Sequence, residues 1–388
     1  MLAKMPQDAK LLMNLFMPFF LISSARHVYL TYGSLLQYHK FSYEAIGWIL
    51  GIYFLAAMAS RPLGGWMLEK FGIRRTLILS GMFSFIGCSL LFFRESMALL
   101  LIGRIISGAG FGVYSTGIFS YQALCVPQKT RGSMLSLLTV GGMLPIATVT
   151  PLGEWLLLGS QSTLYLAIGP ALSLLCCFWG SRAGTATTEE THGGEKPWGT
   201  YSELFSSRSF LFLLFTGTLI SLINAININI SLLAVENGLM ASHFLMANAA
   251  AAVLIRLAGL SLLNTLPRVA LLAPCGVLMA CSVVLVSLFP TSGIFVIGGI
   301  LFGIGIGTGF PMLHALTADI LDPALRPKGA SAVLLFYDGG FFLTPLIVGY
   351  FLPLLGTSET FTMIAVAAGC ALVLLEIFYW LPLYVKTK

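Results

Sequence analysis

Among the ionisable side chains inside the apolar runs of this 388-residue chain, four could do chemistry: Arg26, Arg104, His314 and Asp338. Arg26 lies fifteen residues after Leu11, the start of its run. At 1.5 Å per residue that is roughly 22 Å into a hydrocarbon layer of about 30 Å, too deep to reach water easily from that end. A guanidinium at this depth needs a partner or a cavity. Its fork of donors suits a carboxylate. Asp338 and His314 stand at similar depths in neighbouring runs, where an acid and an imidazole could exchange a proton. Each also has a plainer reading. Asp338 could bond a neighbouring helix or a loop cation, and His314 could be a satisfied polar residue near the interface. Arg104 lies about 10 Å inside its run, with a role in proton transfer or in binding backbone carbonyls.

Neutral polar residues extend the pattern. Ser23, Arg26, Tyr29 and Gly33 recur at helical spacing, with Tyr32 beside them. A second stripe runs Ser221, Asn224, Asn227 and Ser231. Lipid would penalise both faces, so Arg26, Tyr29, Tyr32, Ser221, Asn224 and Asn227 are expected to line a substrate cavity. The alternative is cross-helix bonding by the asparagines, worth only about 0.6 kcal/mol each.

The elements that must carry these residues follow from composition. Hydrophobic residues make up 57% of the chain and charged residues 9%, against about 25% charged in soluble domains. Continuous apolar runs of about 20 residues predict helices that cross a bilayer. Twelve are expected, over 11–36, 45–68, 76–93, 97–122, 133–157, 163–181, 208–235, 243–263, 269–289, 292–317, 330–354 and 359–384. The first is expected to be a retained span and not a cleaved signal. The polar stretch 182–207 reads as a linker between halves 1–181 and 208–388.

Lys and Arg positions give the orientation. Seventeen fall on one side of the expected spans and two, Lys40 and Arg94, on the other. By the positive-inside rule both termini are cytoplasmic. The net charge of +6 follows this topology and is no sign of nucleic-acid binding. Seven cysteines lie in or beside the spans without a metal-type pair, and read as small buried side chains. Neither a phosphate-binding loop nor a nucleophile elbow is present, so no nucleotide cofactor and no enzyme activity is expected.

The halves repeat. At an offset of 195 residues, Arg61 falls on Arg256, Gly81 on Gly276, and Gly103, Gly108, Gly110 and Gly112 on Gly298, Gly303, Gly305 and Gly307. Arg26, Tyr29 and Tyr32 fall on Ser221, Asn224 and Asn227. Asn264 and Thr265 replace Glu69 and Lys70, so the second half keeps only the outline of the charged turn described next.

Between spans two and three the chain reads Gly65-Trp66-Met67-Leu68-Glu69-Lys70-Phe71-Gly72-Ile73-Arg74-Arg75. Gly72 permits a tight reversal. Lys70, Arg74 and Arg75 hold the turn on the cytoplasmic side. This G-x-x-x-[acid]-K-x-G-x-R-R run resembles the loop between helices two and three of the major facilitator superfamily, which usually has Asp where this chain has Glu69. Arg104-Ile105-Ile106-Ser107-Gly108-Ala109-Gly110 resembles that family's R-x-x-x-G-x-G element in span four, associated with proton transfer. Span five, around Gly141, Gly142 and Pro145, only loosely resembles its antiporter element.

The resemblance implies an all-α integral membrane fold of twelve transmembrane helices in two pseudo-symmetric six-helix bundles, with access alternating around a site between them. Gly65, Glu69, Lys70, Gly72, Arg74 and Arg75 would form the gating loop, and Arg104, His314 and Asp338 would couple protons. The expected activity is secondary active transport of a small anionic or zwitterionic organic solute, as proton-coupled efflux. Uptake of a carboxylate metabolite or siderophore is the first alternative, and a non-transporting sensor on the same fold the second. The expected partners are the solute, protons and membrane lipid, with no metal and no nucleic acid. A monomer in a bacterial inner membrane is expected.

Overall fold

A backbone in lipid must satisfy its own polar groups, and the chain does so with helices. The computed structural model describes residues 7–125, 131–183, 200–258, 267–322 and 325–387, and contains no strand among them. Ten of the expected spans are helices long and apolar enough to cross a bilayer. The other two differ. Span one is the helix Gln7–His27, a 3-10 turn Val28–Thr31, then the helix Tyr32–Tyr38. Span eight is the helix Ala241–Ala258, whose apolar part covers 17 residues. The helices expose large apolar side chains such as Phe83, Trp155, Phe178, Leu254 and Phe378, as a lipid-facing surface requires.

The chain forms two compact units, Met1–Gly193 and Gly194–Lys388. The repeat seen in the sequence is also a repeat of contacts. A Cβ added at Gly110 would stand 2.8 Å from the Ser80 carbonyl oxygen, and one at Gly305 would stand 2.7 Å from that of Cys275, which is residue 80 + 195. Gly81 packs on Cys177, and Gly276 on Leu372, residue 177 + 195. Even the caps repeat. Ser96 accepts from the Leu99 amide at 3.4 Å before span four, and Thr291 from the Ile294 amide at 3.4 Å before span ten. Small residues at these crossings let helix backbones touch.

Part of the expected linker is helical. Residues Tyr201–Ser206 form a short helix opened by a capping box, with Thr200 accepting from the Glu203 amide at 3.2 Å and Glu203 accepting from the Thr200 amide at 3.1 Å. Leu204 is fully buried beneath it, and the Lys328 ammonium lies 5.0 Å from the Tyr201 ring. Among the described residues, helix is therefore present within the expected linker, ahead of Arg208. Among the described cysteines Cys88 and Cys176 are buried and Cys177 and Cys275 half-buried, as small buried side chains would be, whereas Cys281 and Cys370 are exposed, contrary to that expectation.

The turn after span two is a single glycine. Gly72 adopts φ 74°, ψ 168° and breaks the helical stretch Tyr43–Leu90 where span two gives way to span three. Thr76 Oγ1 donates to its carbonyl at 2.8 Å. Only glycine occupies this backbone region without strain, at about 1–3 kcal/mol for other residues. Gly72→Ala is therefore expected to lower stability by about 1–3 kcal/mol, read as an earlier midpoint in SDS unfolding. An unchanged midpoint would show that the turn relaxes freely.

Candidate functional site

In the first unit the expected arginines meet one aromatic patch. The Arg26 guanidinium stands 5.0 Å from the centre of the Phe54 ring and 5.2 Å from that of Phe111. The Arg104 guanidinium stands 4.5 Å from the Tyr53 ring. The three rings adjoin one another, with Tyr53 5.2 Å from Phe54 and 5.9 Å from Phe111. Such faces attract a cation without neutralising it. Arg104 is buried, and its Nε donates to the Ile49 carbonyl at 3.1 Å. Of its two sequence readings, carbonyl binding is the one with a visible contact. Arg26 is half-buried. Sequence reading missed Tyr53, Phe54 and Phe111. Phe111 lies two helical turns after Arg104, which was the available signal.

Span one breaks just after Arg26, and the break has a partner. Thr150 Oγ1, on span five, donates to the His27 carbonyl at 2.8 Å. The second unit repeats the device: the 3-10 turn Ala225–Ile228 follows span seven's first helix, and Thr344 Oγ1 donates to the Leu222 carbonyl at 2.9 Å. Leu222 is residue 27 + 195. The side chains supply what a broken helix loses in lipid. The break also divides the expected polar face. A 3-10 turn has three residues per turn, so residues beyond it rotate away from a 3.6-residue register. Tyr29 and Tyr32 accordingly lie within the first unit, both buried. Tyr29 Oη donates to the Leu166 carbonyl at 3.0 Å, and its ring meets those of Tyr32 at 5.7 Å and Tyr165 at 5.8 Å. Tyr29 packs span one against span six, and the buried Tyr32 hydroxyl meets no hydrogen-bond partner among the described residues.

In the second unit the span-seven stripe docks on span eleven through Tyr337. Ser221 Oγ donates to the Tyr337 carbonyl. Asn224 Nδ2 donates to Tyr337 Oη at 2.8 Å, and Asn227 Nδ2 to Asn224 Oδ1 at 3.1 Å. Asn227 Oδ1 and both amide atoms of Asn229 are buried with no hydrogen-bond partner among the described residues. The His314 ring lies 4.6 Å from Phe310, whose ring lies 5.1 Å from Tyr337. Asp338 follows Tyr337 and is half-buried. Thus Ser221, Asn224 and Asn227 are brought together, and His314 joins them through Phe310 and Tyr337. Arg104 belongs to the other unit.

Of the gating loop, Lys70, Arg74 and Arg75 are exposed. The Lys70 ammonium lies 5.0 Å from the Trp66 ring. Gly65 has open space around its Cβ position, whereas Gly64 packs on Thr116. The Glu69 side chain lies outside the described residues, as do Asn264 and Thr265. Arg256, counted among the cytoplasmic cations, is 4% exposed at the end of its helix. Arg268 and Asp319 form a partly exposed ion pair at 2.7 Å, a type worth about 0–1 kcal/mol.

Comparisons agree with this architecture. Inositol transporter 4 of Arabidopsis thaliana is 28% identical over 115 residues, 28% of this chain and 20% of that protein. The matched stretch thus spans about a fifth of that relative's length. The D-xylose-proton symporter structure superposes with a TM-score of 0.78 at 11% identity, covering 95% of this chain and 97% of the other. The human organic anion transporter MFSD10 (TETRAN) gives 0.67 at 16% identity, covering 96% and 100%. At these identities the structures share the fold. The family model of the Major Facilitator Superfamily matches residues 12–293. That match takes in the Gly65–Arg75 turn, the Arg104 helix and spans seven to nine of the second unit, and the chain is a multi-pass membrane protein of the major facilitator superfamily.

Proposed function

We propose that the protein is a secondary active transporter of a small organic anion or zwitterion, working by alternating access as a proton-coupled exporter. The observation that carries this reading is Arg26. It is a fixed positive charge in an apolar span, held on the faces of Phe54 and Phe111, with no acid in that span. Aromatic faces orient a guanidinium without neutralising it, and a carboxylate matches its planar fork. A structural relative named as an organic anion transporter is in keeping with the charge. A lipid-embedded monomer with both termini in the cytoplasm of a bacterial cell completes the proposal.

Proton coupling is assigned to Asp338, with His314 as its neighbour in depth. Purified protein in proteoliposomes, loaded with radiolabelled carboxylates and given a pH gradient of either sign, tests both parts. Asp338→Asn is expected to abolish gradient-driven flux, at least about a hundredfold as for loss of a proton carrier, while solute counterflow persists. Full gradient-driven flux by Asp338→Asn would remove it as the carrier. Flux only under the opposite gradient would turn export into uptake, and no flux of any solute would favour a sensor.

A further inference from the structure

Glu376 is an acid inside span twelve, which runs Thr357–Val385. Leu372 and Trp380, four residues to either side of it, are both fully buried, and helical residues at this spacing share one face. That face meets spans seven and nine. Leu372 and Ile220 both close on Gly276. Trp380 Nε1 donates to Thr216 Oγ1 at 3.0 Å. Tyr379 stacks on Phe212 at 3.9 Å, and its hydroxyl donates to Ser209 Oγ at 2.8 Å. Glu376 therefore lies level with residues 216–220 of span seven, a stretch that begins about 12 Å along the helix from Arg208.

The helix changes its winding at this residue. Glu376 opens the π-helical turn Glu376–Trp380, closed by the Leu381 amide donating to the Glu376 carbonyl. Such turns are rare and occur frequently at functional sites. The side chain is half-buried, and its Oε2 is buried with no hydrogen-bond partner among the described residues. The charged and titratable groups of the elements packed around it are engaged or lie apart. On span nine, Arg268 pairs with Asp319 at 2.7 Å, Cys275 packs on Gly305 and Gly309, and Cys281 is exposed. On span seven, the Arg208 guanidinium lies 5.6 Å from the Phe212 ring. On span twelve, Glu359 stands beside Gly356 and Cys370 is exposed. Tyr379 and Tyr384 follow Glu376 on that span, and the Lys386 side chain lies outside the described residues. At the 195-residue offset Glu376 falls on Ser181, the cap that ends the helix of span six, so this acid belongs to the second unit alone.

A bare carboxylate is costly in such surroundings, and acids kept inside spans handle protons or ions. A metal ion needs several oxygen ligands, and no group of three or more metal-ligating side chains occurs among the described residues. A single carboxyl suffices for a proton.

We propose that Glu376 is a second proton-binding site of the second unit and carries a proton in transport alongside Asp338. Oε2 takes the proton from a hydronium ion, leaving water, and gives it back to water. The proposal rests on the proton-coupled reading above and deepens it.

Labelling of wild-type protein in proteoliposomes with dicyclohexylcarbodiimide tests the binding. This apolar reagent reacts with a protonated carboxyl and leaves a stable N-acylurea, which mass spectrometry locates. Glu376 is expected to take the label at pH 6 and at least about tenfold less of it at pH 9, as the site loses one proton across that range. No label at Glu376, or equal label at both pH values, overturns the site. Label on the exposed Glu44 equal to that on Glu376 also overturns it.

Flux separates this site from the broader reading. Glu376→Gln removes the proton at nearly constant volume and is expected to lower gradient-driven flux at least about tenfold, with counterflow kept. Glu376→Asp is expected to restore part of the loss. Full gradient-driven flux in Glu376→Gln, where Asp338→Asn has none, overturns this site while proton coupling stands. If wild type has no gradient-driven flux but its Glu376 label depends on pH, the coupling reading falls and the proton-binding site stands. Should Glu376→Gln fail to fold, the labelling decides, since it is made on wild type.

Discussion

Arg26→Ala is expected to abolish transport, and Arg26→Lys to fold normally while binding the solute far more weakly. Removing one member of a buried, hydrogen-bonded charge pair costs about 2–5 kcal/mol, roughly 30-fold or more in affinity. Lysine keeps the charge but replaces a planar fork with a point, and it loses the stacking that Phe54 and Phe111 give a guanidinium at 5.0 Å and 5.2 Å. The intermediate variant should therefore fall between wild type and alanine in affinity, with its melting temperature unchanged. Calorimetric titration against a panel of carboxylates decides it. An alanine variant that binds the native solute as tightly as wild type would remove Arg26 from the site, and the case for an anionic substrate with it.

The same region shows what could be read before the fold was known. Arg26 stood out because a charge in an apolar run is expensive wherever it points. Its ring partners did not stand out, since aromatic residues are common in such runs and only the crossing of spans one, two and four selects Phe54 and Phe111. The 195-residue repeat was legible from glycines alone. Their partners at the same offset, Ser80 with Cys275 and Cys177 with Leu372, share no residue type and could not be read.

The breaks in spans one and seven were hidden for a related reason. Neither Val28–Thr31 nor Ala225–Ile228 contains glycine or proline. Each break is set from outside, by a threonine of another span taking a carbonyl. Treating span one as one continuous helix put Tyr29 and Tyr32 on the Arg26 face, and beyond the break Tyr29 meets span six. Arg256 shows the converse error. A count of cations by loop side cannot tell a solvated residue from one buried in the last turn. The Thr200–Glu203 capping box, by contrast, was visible as T-x-x-E and was passed over because the surrounding composition is that of a linker.

Valine at Gly108 is expected to cost about 3 kcal/mol, at the upper end for overpacking, and to inactivate the protein as well. A Cβ at this position would stand 3.0 Å from the Tyr53 carbonyl carbon and 3.1 Å from its Cα. Both are backbone atoms of span two and cannot rotate aside. Spans two and four would have to separate. That movement would lengthen the 3.1 Å bond from Arg104 Nε to the Ile49 carbonyl. It would also draw Tyr53 from beneath the Arg104 guanidinium, and shift Phe54 under Arg26, so a steric change reaches the candidate site through the aromatic patch. Gly303→Val should cost a similar amount in the second unit, because its Cβ would stand 3.1 Å from the carbonyl carbon of Asn248, which is residue 53 + 195. Gly339→Ala is the control: nothing lies within 4 Å of its Cβ position, and alanine in a helix is favoured over glycine by about 1 kcal/mol. SDS-unfolding midpoints of the three variants measure the difference. A Gly108→Val protein as stable as the Gly339→Ala control would mean that spans two and four do not touch at this glycine, and the shared contact pattern of the two units would lose its central pair.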